Sequence, residues 1–328
     1  MNFFEYVKND SFFKPLTLKY KRIYYDLIGK QFNKVIIRYN PIKKRYKYCG
    51  FSHHVNERAL EDLANLIIDD LVFYAFNEEE VLKLDKCHGM LEDLRVAAKY
   101  AYKQRLPKRK NDKTDGTMGE VLLDIFIQLE TQDTQKLIAR AKFTDMHNKQ
   151  EIKGYDALYF TKNSDGICLW LGQAKAGKKK YCTNSIADDL KNKYNKKYFS
   201  DTVLYIADKK DTSELDDILN AINGICFESM KCGWDENRKV QEIFNVLNSW
   251  NVKIKIPCLI SYSKDIYSDE KALVEYINKE ITDTLKCFDE MTLDIELNMD
   301  FEVIFYILPV KDVDYIRKKI TKMKKEAN

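Results

Sequence analysis

Apolar side chains recur every three to four residues in two clear stretches of this 328-residue chain. In the first, Leu60, Leu63, Ala64, Ile67, Ile68, Leu71 and Val72 fall on one helical face, after a capping residue at Asn56. In the second, Met118, Val121, Leu122, Ile125, Phe126 and Leu129 form a single stripe, the pattern of an amphipathic helix with Glu120 on its polar side. Weaker spacing predicts further helices over 91–98, 186–194, 213–222, 237–250 and 270–288, and from Asp312 onward. Between them, short apolar runs read as strands over 34–39, 136–143, 155–160, 167–175, 202–207, 254–262 and 301–308. Pro257 lacks an amide hydrogen, which assigns the 254–262 strand an edge or bulge position. The order from residue 117 is helix, three strands, helix, strand, and alternation of this kind argues for a mixed α/β sheet with helices packed on it.

Lys162-Asn163-Ser164-Asp165-Gly166 is the turn of a hairpin. On its returning strand alternate residues share a face, so Ile167, Leu169, Leu171, Gln173 and Lys175 point one way. Cys168, Trp170, Gly172 and Ala174 point the other. Asp156 shares its face with Leu158 and Phe160 and lies across the hairpin from Gln173 and Lys175. A carboxylate, an amide oxygen and an ammonium at the edge of an apolar sheet are the parts of a Mg²⁺ or Mn²⁺ site. In that reading Asp156 is the main ligand, with the Gln173 side-chain oxygen and the Ala174 carbonyl beside it. Lys175 orients an attacking water and stabilises charge on a phosphate. Glu120 admits two roles. Thr117-Met118-Gly119-Glu120 matches a capping box, and the same carboxylate can serve the site as an acidic ligand. Singly, Asp156 also reads as a turn residue and Lys175 as a solvated strand end; the placement of all four on that order of elements sets them apart.

Composition narrows the class. Apolar residues make up 45% and charged residues 32%, which excludes a disordered chain. No apolar run approaches the roughly 20 residues of a membrane span, and the start lacks the marks of a signal peptide, so the expected compartment is the cytoplasm with no membrane partner. The eight cysteines are scattered and form no CxxC pair, so they read as reduced thiols; neither Cys87-His88 nor Cys226/Cys232 has the spacing of a zinc module. A net charge of +4 does not by itself call for nucleic acid. Several basic clusters are interleaved with tyrosine, as on surfaces that hold phosphates and stack bases, although lysine-rich faces also serve solubility alone. Lys142, Lys178, Lys179 and Lys180 are the candidate nucleic-acid contacts. No Gly-x-x-x-x-Gly-Lys-Ser/Thr loop is present to cradle a nucleotide.

Three segments carry a resemblance: Gly119-Glu120-Val121-Leu122-Leu123, Lys153-Gly154-Tyr155-Asp156-Ala157 and Leu171-Gly172-Gln173-Ala174-Lys175. They resemble the motifs of the PD-(D/E)xK nuclease superfamily and, more narrowly, the HamA family, the nuclease subunit of Hachiman anti-phage defence. Leu308-Pro309-Val310 before a final helix also fits that family's end. The resemblance implies an α/β, restriction-endonuclease-like core of the order αβββαβ, a mixed sheet flanked by helices, with additional helices and strands around it. It spans residues 53–328, with the core at about 115–208 and residues 1–52 as a basic, aromatic extension. It further implies a catalytic set of Glu120, Asp156, Gln173 and Lys175, of which Asp156, Gln173 and Glu120 hold Mg²⁺ or Mn²⁺. DNA is the implied substrate and a superfamily 2 helicase (HamB-like) the implied partner. One departure stands out: the family pattern is Gly-Glu-x-Lys, and here Gln173 replaces the acid, as in some Mrr-like restriction enzymes. A neutral amide binds Mg²⁺ more weakly than a carboxylate. Two functions follow: a metal-dependent DNA endonuclease subunit controlled by its helicase, or a catalytically weak or inactive nuclease-fold subunit that binds DNA or the helicase. A regulatory subunit that binds only protein is the third, and steeply salt-dependent DNA affinity separates it from the other two.

Overall fold

The structure, a computed structural model, describes residues 15–107, 115–131, 134–140, 154–164, 166–212, 214–291, 293 and 295–327. Helix α1 (Pro15–Tyr24) runs through a π turn (Tyr25–Gly29) into α2 (Lys30–Val35), followed by strands β1 (Ile36–Arg38), β2 (Ile42–Lys43) and β3 (Lys47–His53). The first apolar stripe forms α3 (Ala59–Ala75); Asn56 Oδ1 accepts the Arg58 N–H just before it, at 3.0 Å. Asn77 then opens α4 (Glu78–His88) with a reciprocal capping box to Glu80, and Gly89 closes it in the left-handed region at φ 59°. Asp93 caps α5 (Leu94–Gln104). The second stripe forms α6 (Thr117–Glu130), followed by β4 (Gln135–Lys136), β5 (Ala157–Asn163), β6 (Gly166–Gly177) and α7 (Lys179–Lys193). Next come α8 (Lys196–Lys209), α9 (Asp216–Cys232), α10 (Glu236–Ser249) and β7 (Lys253–Ser263). The chain ends with α11 (Glu270–Asp289), β8 (Phe301–Val310) and α12 (Val313–Ala327).

One mixed sheet organises these elements in the order β1-β3-β8-β7-β6-β5-β4, with β2 added on β3. The β3–β8, β7–β8 and β6–β7 ladders are parallel; β5–β6, β4–β5 and β1–β3 are antiparallel. Helices cover both faces, so β8 reads as an unbroken apolar run from Val303 to Leu308. Alternation divides each strand between two cores. On β6, Trp170, Ala174 and Ala176 join α3, α6 and α12 on one side. Ile167, Leu169 and Leu171 join α7, α8 and α11 on the other, as the alternation predicts. Strand β3 runs across residue 52 and pairs with β8, so residues on both sides of that position belong to the same sheet.

Several expectations need correction. Residues 202–207 lie inside α8, not in a strand. Asn195 accepts the Tyr198 N–H to start this helix, and Phe199, Val203 and Ile206 are buried at helical spacing. A five-residue apolar run fits either period, and tertiary packing decided it. The fourth core strand is therefore β7, more than forty residues later and after two further helices. Pro257 does not mark an edge or a bulge, because β7 lies between β6 and β8. Its register to β6 is the same before and after, Trp170↔Lys255 and Gln173↔Cys258, and only the ladder positions around Ile256 and Pro257 are open. The proline's missing N–H falls in that opening. The expected strand over 34–39 shrinks to β1, because Lys34 and Val35 still belong to α2. Of the strand expected over 136–143, only Lys136 falls in a described strand, as the second residue of β4, and residues 141–143 lie outside the described residues. Helix α4 had no counterpart among the expected elements.

The polar side of α6 does not face solvent either. Glu120, Asp124 and Gln128, spaced i, i+4 and i+8, are all buried and all bonded. Tyr159 donates to Asp124, Tyr20 to Gln128 at 3.0 Å, and Tyr74 to Glu120 at 2.6 Å. Burying such groups is tolerable only when each finds a partner. All eight cysteines are free, and burial pushes the Cys182 thiol up to about 12. No helix among the described residues is long and apolar enough to cross a membrane.

The start of α6 is tied to the last helix by a buried ion pair. Lys324 of α12 reaches Asp115 and, at 2.9 Å, Thr117 Oγ1, and both charged side chains are only 8% exposed. Burial alone would push the Asp115 carboxyl up, but Lys324 and the two Thr117 donors overrule it and hold it well below its usual 3.8. The pair therefore contributes its full stability above about pH 3.8, and that contribution fades as the pH falls below it. Removing the lysine leaves a buried carboxylate unpaired, at a cost of roughly 3–5 kcal/mol. Thermal melts of Lys324→Met should show a large loss at pH 7 that narrows towards pH 3; an unchanged Tm across that range would mean the pair contributes nothing.

Candidate active site

The site is built outward from the β5–β6 hairpin. Its ladder runs from Asn163↔Gly166 to Ala157↔Gly172, and Gly166 takes the positive φ of 117° that the turn requires. Just beyond the ladder, Asp156 donates its N–H to Gly172 O at 2.8 Å, while its Oδ2 accepts the Ala174 N–H at 2.8 Å. The carboxylate is thereby fixed beside Gln173 and Lys175. Gly172 has no room for a side chain. A Cβ there would lie 2.8 Å from Leu123 Cδ2, 3.1 Å from Ala157 Cβ and 3.2 Å from Pro257 Cγ.

Gln173 and Lys175 emerge on the face of Ile167, Leu169 and Leu171, where α7 packs. Two α7 residues that the sequence reading missed complete the cluster. Asp189 pairs with Lys175 at 2.6 Å and with Lys193 at 3.2 Å. Lys193 donates to Gln173 Oε1 at 2.7 Å and to Gly154 O at 3.2 Å. The available signal was an Asp-x-x-x-Lys pair directly beside the apolar positions Leu190 and Tyr194. Gln173 is fully buried, and its Nε2 has no hydrogen-bond partner among the described residues.

Glu120 lies in the first turn of α6, near enough for its charge to act on Asp156. Close packing brings that turn onto the sheet: the Cβ position of Gly119 is 3.4 Å from Ala174 Cβ. The capping box is absent. Gly116 holds the cap position with no side-chain cap, and Asp115 Oδ1 takes the Thr117 N–H at 2.9 Å. Glu120 instead turns inward to Tyr74 and, at 3.4 Å, to Arg140. Its charge is felt at Asp156, whose carboxyl is pushed up first by burial and then by Glu120, against the pull of Lys175, Lys193 and the Ala174 N–H. Burial pulls the Lys175 ammonium down, but Asp156 and Asp189 outweigh it, so its pKa is raised and it remains charged.

The buried Glu120 and the half-buried Asp156, whose charges repel, together with the Gln173 and Ala174 oxygens are hard oxygen donors of the kind that Mg²⁺ or Mn²⁺ requires. Among the described residues no three His, Cys, Asp or Glu side chains are grouped to hold a metal, so an ion here would have to draw on the amide and backbone oxygens as well. Of the candidate nucleic-acid contacts, Lys178 and Lys180 are exposed at the start of α7, and Tyr181 beside them is 59% exposed. Lys179 is engaged with Glu280 at 2.8 Å, and Lys142 lies outside the described residues.

A mixed sheet covered by helices on both faces, with an acid–amide–lysine cluster at one end of its hairpin, is a nuclease-like α/β core. The chain belongs to the HamA family, whose model matches residues 28–323, and with that family it is a subunit of Hachiman anti-phage defence. No curated protein matches it.

Because Ala157 Cβ and Pro257 Cγ cannot rotate away, Gly172→Ala should overpack the hairpin and cost about 1–3 kcal/mol. Urea unfolding checks this, and an unchanged midpoint would show that the strands can part without penalty.

Proposed function

We propose that this chain is the Mg²⁺- or Mn²⁺-dependent DNA endonuclease subunit of its defence system, acting in the cytoplasm with a helicase partner. The observation that carries the reading is the bond from the Ala174 N–H to Asp156, which holds a carboxylate against Gln173 and Lys175 within reach of the charge of Glu120. Asp156 and Glu120, with the Gln173 and Ala174 oxygens, would hold the ion. When bound, such an ion polarises the phosphate and lowers the pKa of a water. The protein's own groups do the rest. Asp156 is locked in place by the main chain, so it needs no reorganisation. Tyr74 and Arg140 hold Glu120, whose charge acts on Asp156. Lys175, charged and only 20% exposed, is the donor that orients a water and stabilises the charge developing on a phosphate oxygen. Lys178, Lys180 and Tyr181 would receive the DNA backbone at the start of α7. The chain has no phosphate loop, so ATP-driven strand separation would fall to the helicase.

One observation favours the weaker function. Gln173 offers a neutral oxygen, and Lys193 already holds it. A subunit that grips DNA without turnover would tolerate that arrangement.

Cleavage of supercoiled plasmid with Mg²⁺ or Mn²⁺, with and without the helicase subunit, separates the two. Metal-dependent nicking is expected, falling by at least about 100-fold in both Asp156→Ala and Lys175→Ala. DNA that is bound yet uncut in every condition would instead establish the binding subunit.

A further inference from the structure

Lys193 is held as a bound cation would be. Its Nζ lies among three oxygens from three separate elements: Gly154 O at 3.2 Å, Gln173 Oε1 at 2.7 Å and Asp189 Oδ1 at 3.2 Å. The ammonium donates to the first two and is ion-paired with the third. The oxygen it takes from Gln173 is the same one that a divalent ion at this site would use. Three cations stand against the three carboxylates Glu120, Asp156 and Asp189: Arg140 pairs with Glu120, and Lys175 and Lys193 pair with Asp189. A divalent ion arriving with Lys193 in place therefore meets a site whose charge is already matched. The lysine keeps 21% of its side chain exposed, which leaves it a way out towards solvent, and Asp189 remains as a partner when it lets go of Gln173.

We propose that Lys193 is an internal counter-ion of this site, occupying the Gln173 oxygen in the metal-free protein and competing with the divalent ion for it. The inference rests on the metal-site reading above and adds a residue and a rule of entry: the ion binds as the ammonium leaves. Metal affinity of the free protein is thereby held down, and the negative charge of a DNA phosphate, which gives the displaced ammonium a new partner, favours the exchange.

Mn²⁺ binding to the full chain, followed by the electron paramagnetic resonance of the free ion, tests this without any measurement of cleavage. Lys193→Met should bind Mn²⁺ about tenfold or more tightly than wild type, the scale of one hydrogen bond to a charged group. Lys193→Arg, which keeps the charge, should stay near wild type. Lys193→Gln, a smaller change, gives the same reading as Lys193→Met if the latter does not fold. A gain in affinity cannot arise from damage to the fold. Equal or weaker binding in the neutral variants, with binding still abolished by Asp156→Ala, would overturn the counter-ion and leave the metal site standing. No saturable binding in any variant would overturn both.

Discussion

The 2.8 Å bond from the Ala174 N–H to Asp156 Oδ2 exists in only one register of the β5–β6 hairpin. Side chains alternate along a strand, so a slip of one residue would carry Gln173 and Lys175 to the α6 side and leave Asp156 opposite the wrong amide. Three features fix the register. The turn demands the backbone of Gly166, both faces of β6 are apolar over their first half, and the missing side chain of Gly172 lets Leu123, Ala157 and Pro257 close around it. Pro257 thus serves the site from β7, at the place where the parallel ladder to β6 is open. The chemistry at the strand's end depends on packing several residues earlier.

The second constraint is the cost of buried charge. Tyr74 and Arg140 face the buried Glu120, and Tyr74 is itself anchored. It lies in the last turn of α3, where the carbonyls of Phe73 and Tyr74 and of Phe76 just past the helix all accept from the buried Lys136 ammonium. A cation at a helix C-terminus is favoured by the helix dipole, and here it also meets Asp124 at 3.5 Å. The polar stripe of α6 therefore forms one connected network, running from Gln128 and Tyr20 of the N-terminal helix to Glu120 at the site. Networks of this kind rigidify when every member is satisfied, and removing one member strands the others. That is a physical reason for an N-terminal helix to pack beneath a site to which it contributes no reacting group.

The sequence made some of this legible and hid the rest for identifiable reasons. The alternation along 167–175 was enough to place Gln173 and Lys175 together and on the face of Asp156, because period-two patterning survives in any sheet. The two helical stripes were equally plain. Val203-Leu204-Tyr205-Ile206-Ala207 was not, since a short apolar run has no period of its own and its helical packing against α9 and α10 is a tertiary fact. Pro257 misled because the rule against interior proline assumes an intact ladder. Thr117-Met118-Gly119-Glu120 mimicked a capping box, yet Asp115 had already claimed the Thr117 amide. Asp189 and Lys193 were hidden by their ordinariness: an acid and a lysine four apart on a helix usually form a solvated pair, and only the position of α7 against β6 turns them inward.

Gln173 and Lys193 bear on each other in a way neither shows alone. A carboxylate at position 173 would strengthen any metal bound there, but it would also convert the Lys193 contact from a hydrogen bond to a neutral oxygen into an ion pair in a site with little water. Both the empty and the filled state would then be deeper, and exchange between them would cost more. In the proposed exchange an amide would hold both the ammonium and the divalent ion less firmly, so the balance between them would be set largely by what else arrives. An incoming phosphate would carry the charge that tips it. If Lys193 and the divalent ion exchange as proposed, the amide that looks like a lesion in a nuclease motif would be the residue that keeps the site quiet without DNA and responsive to it.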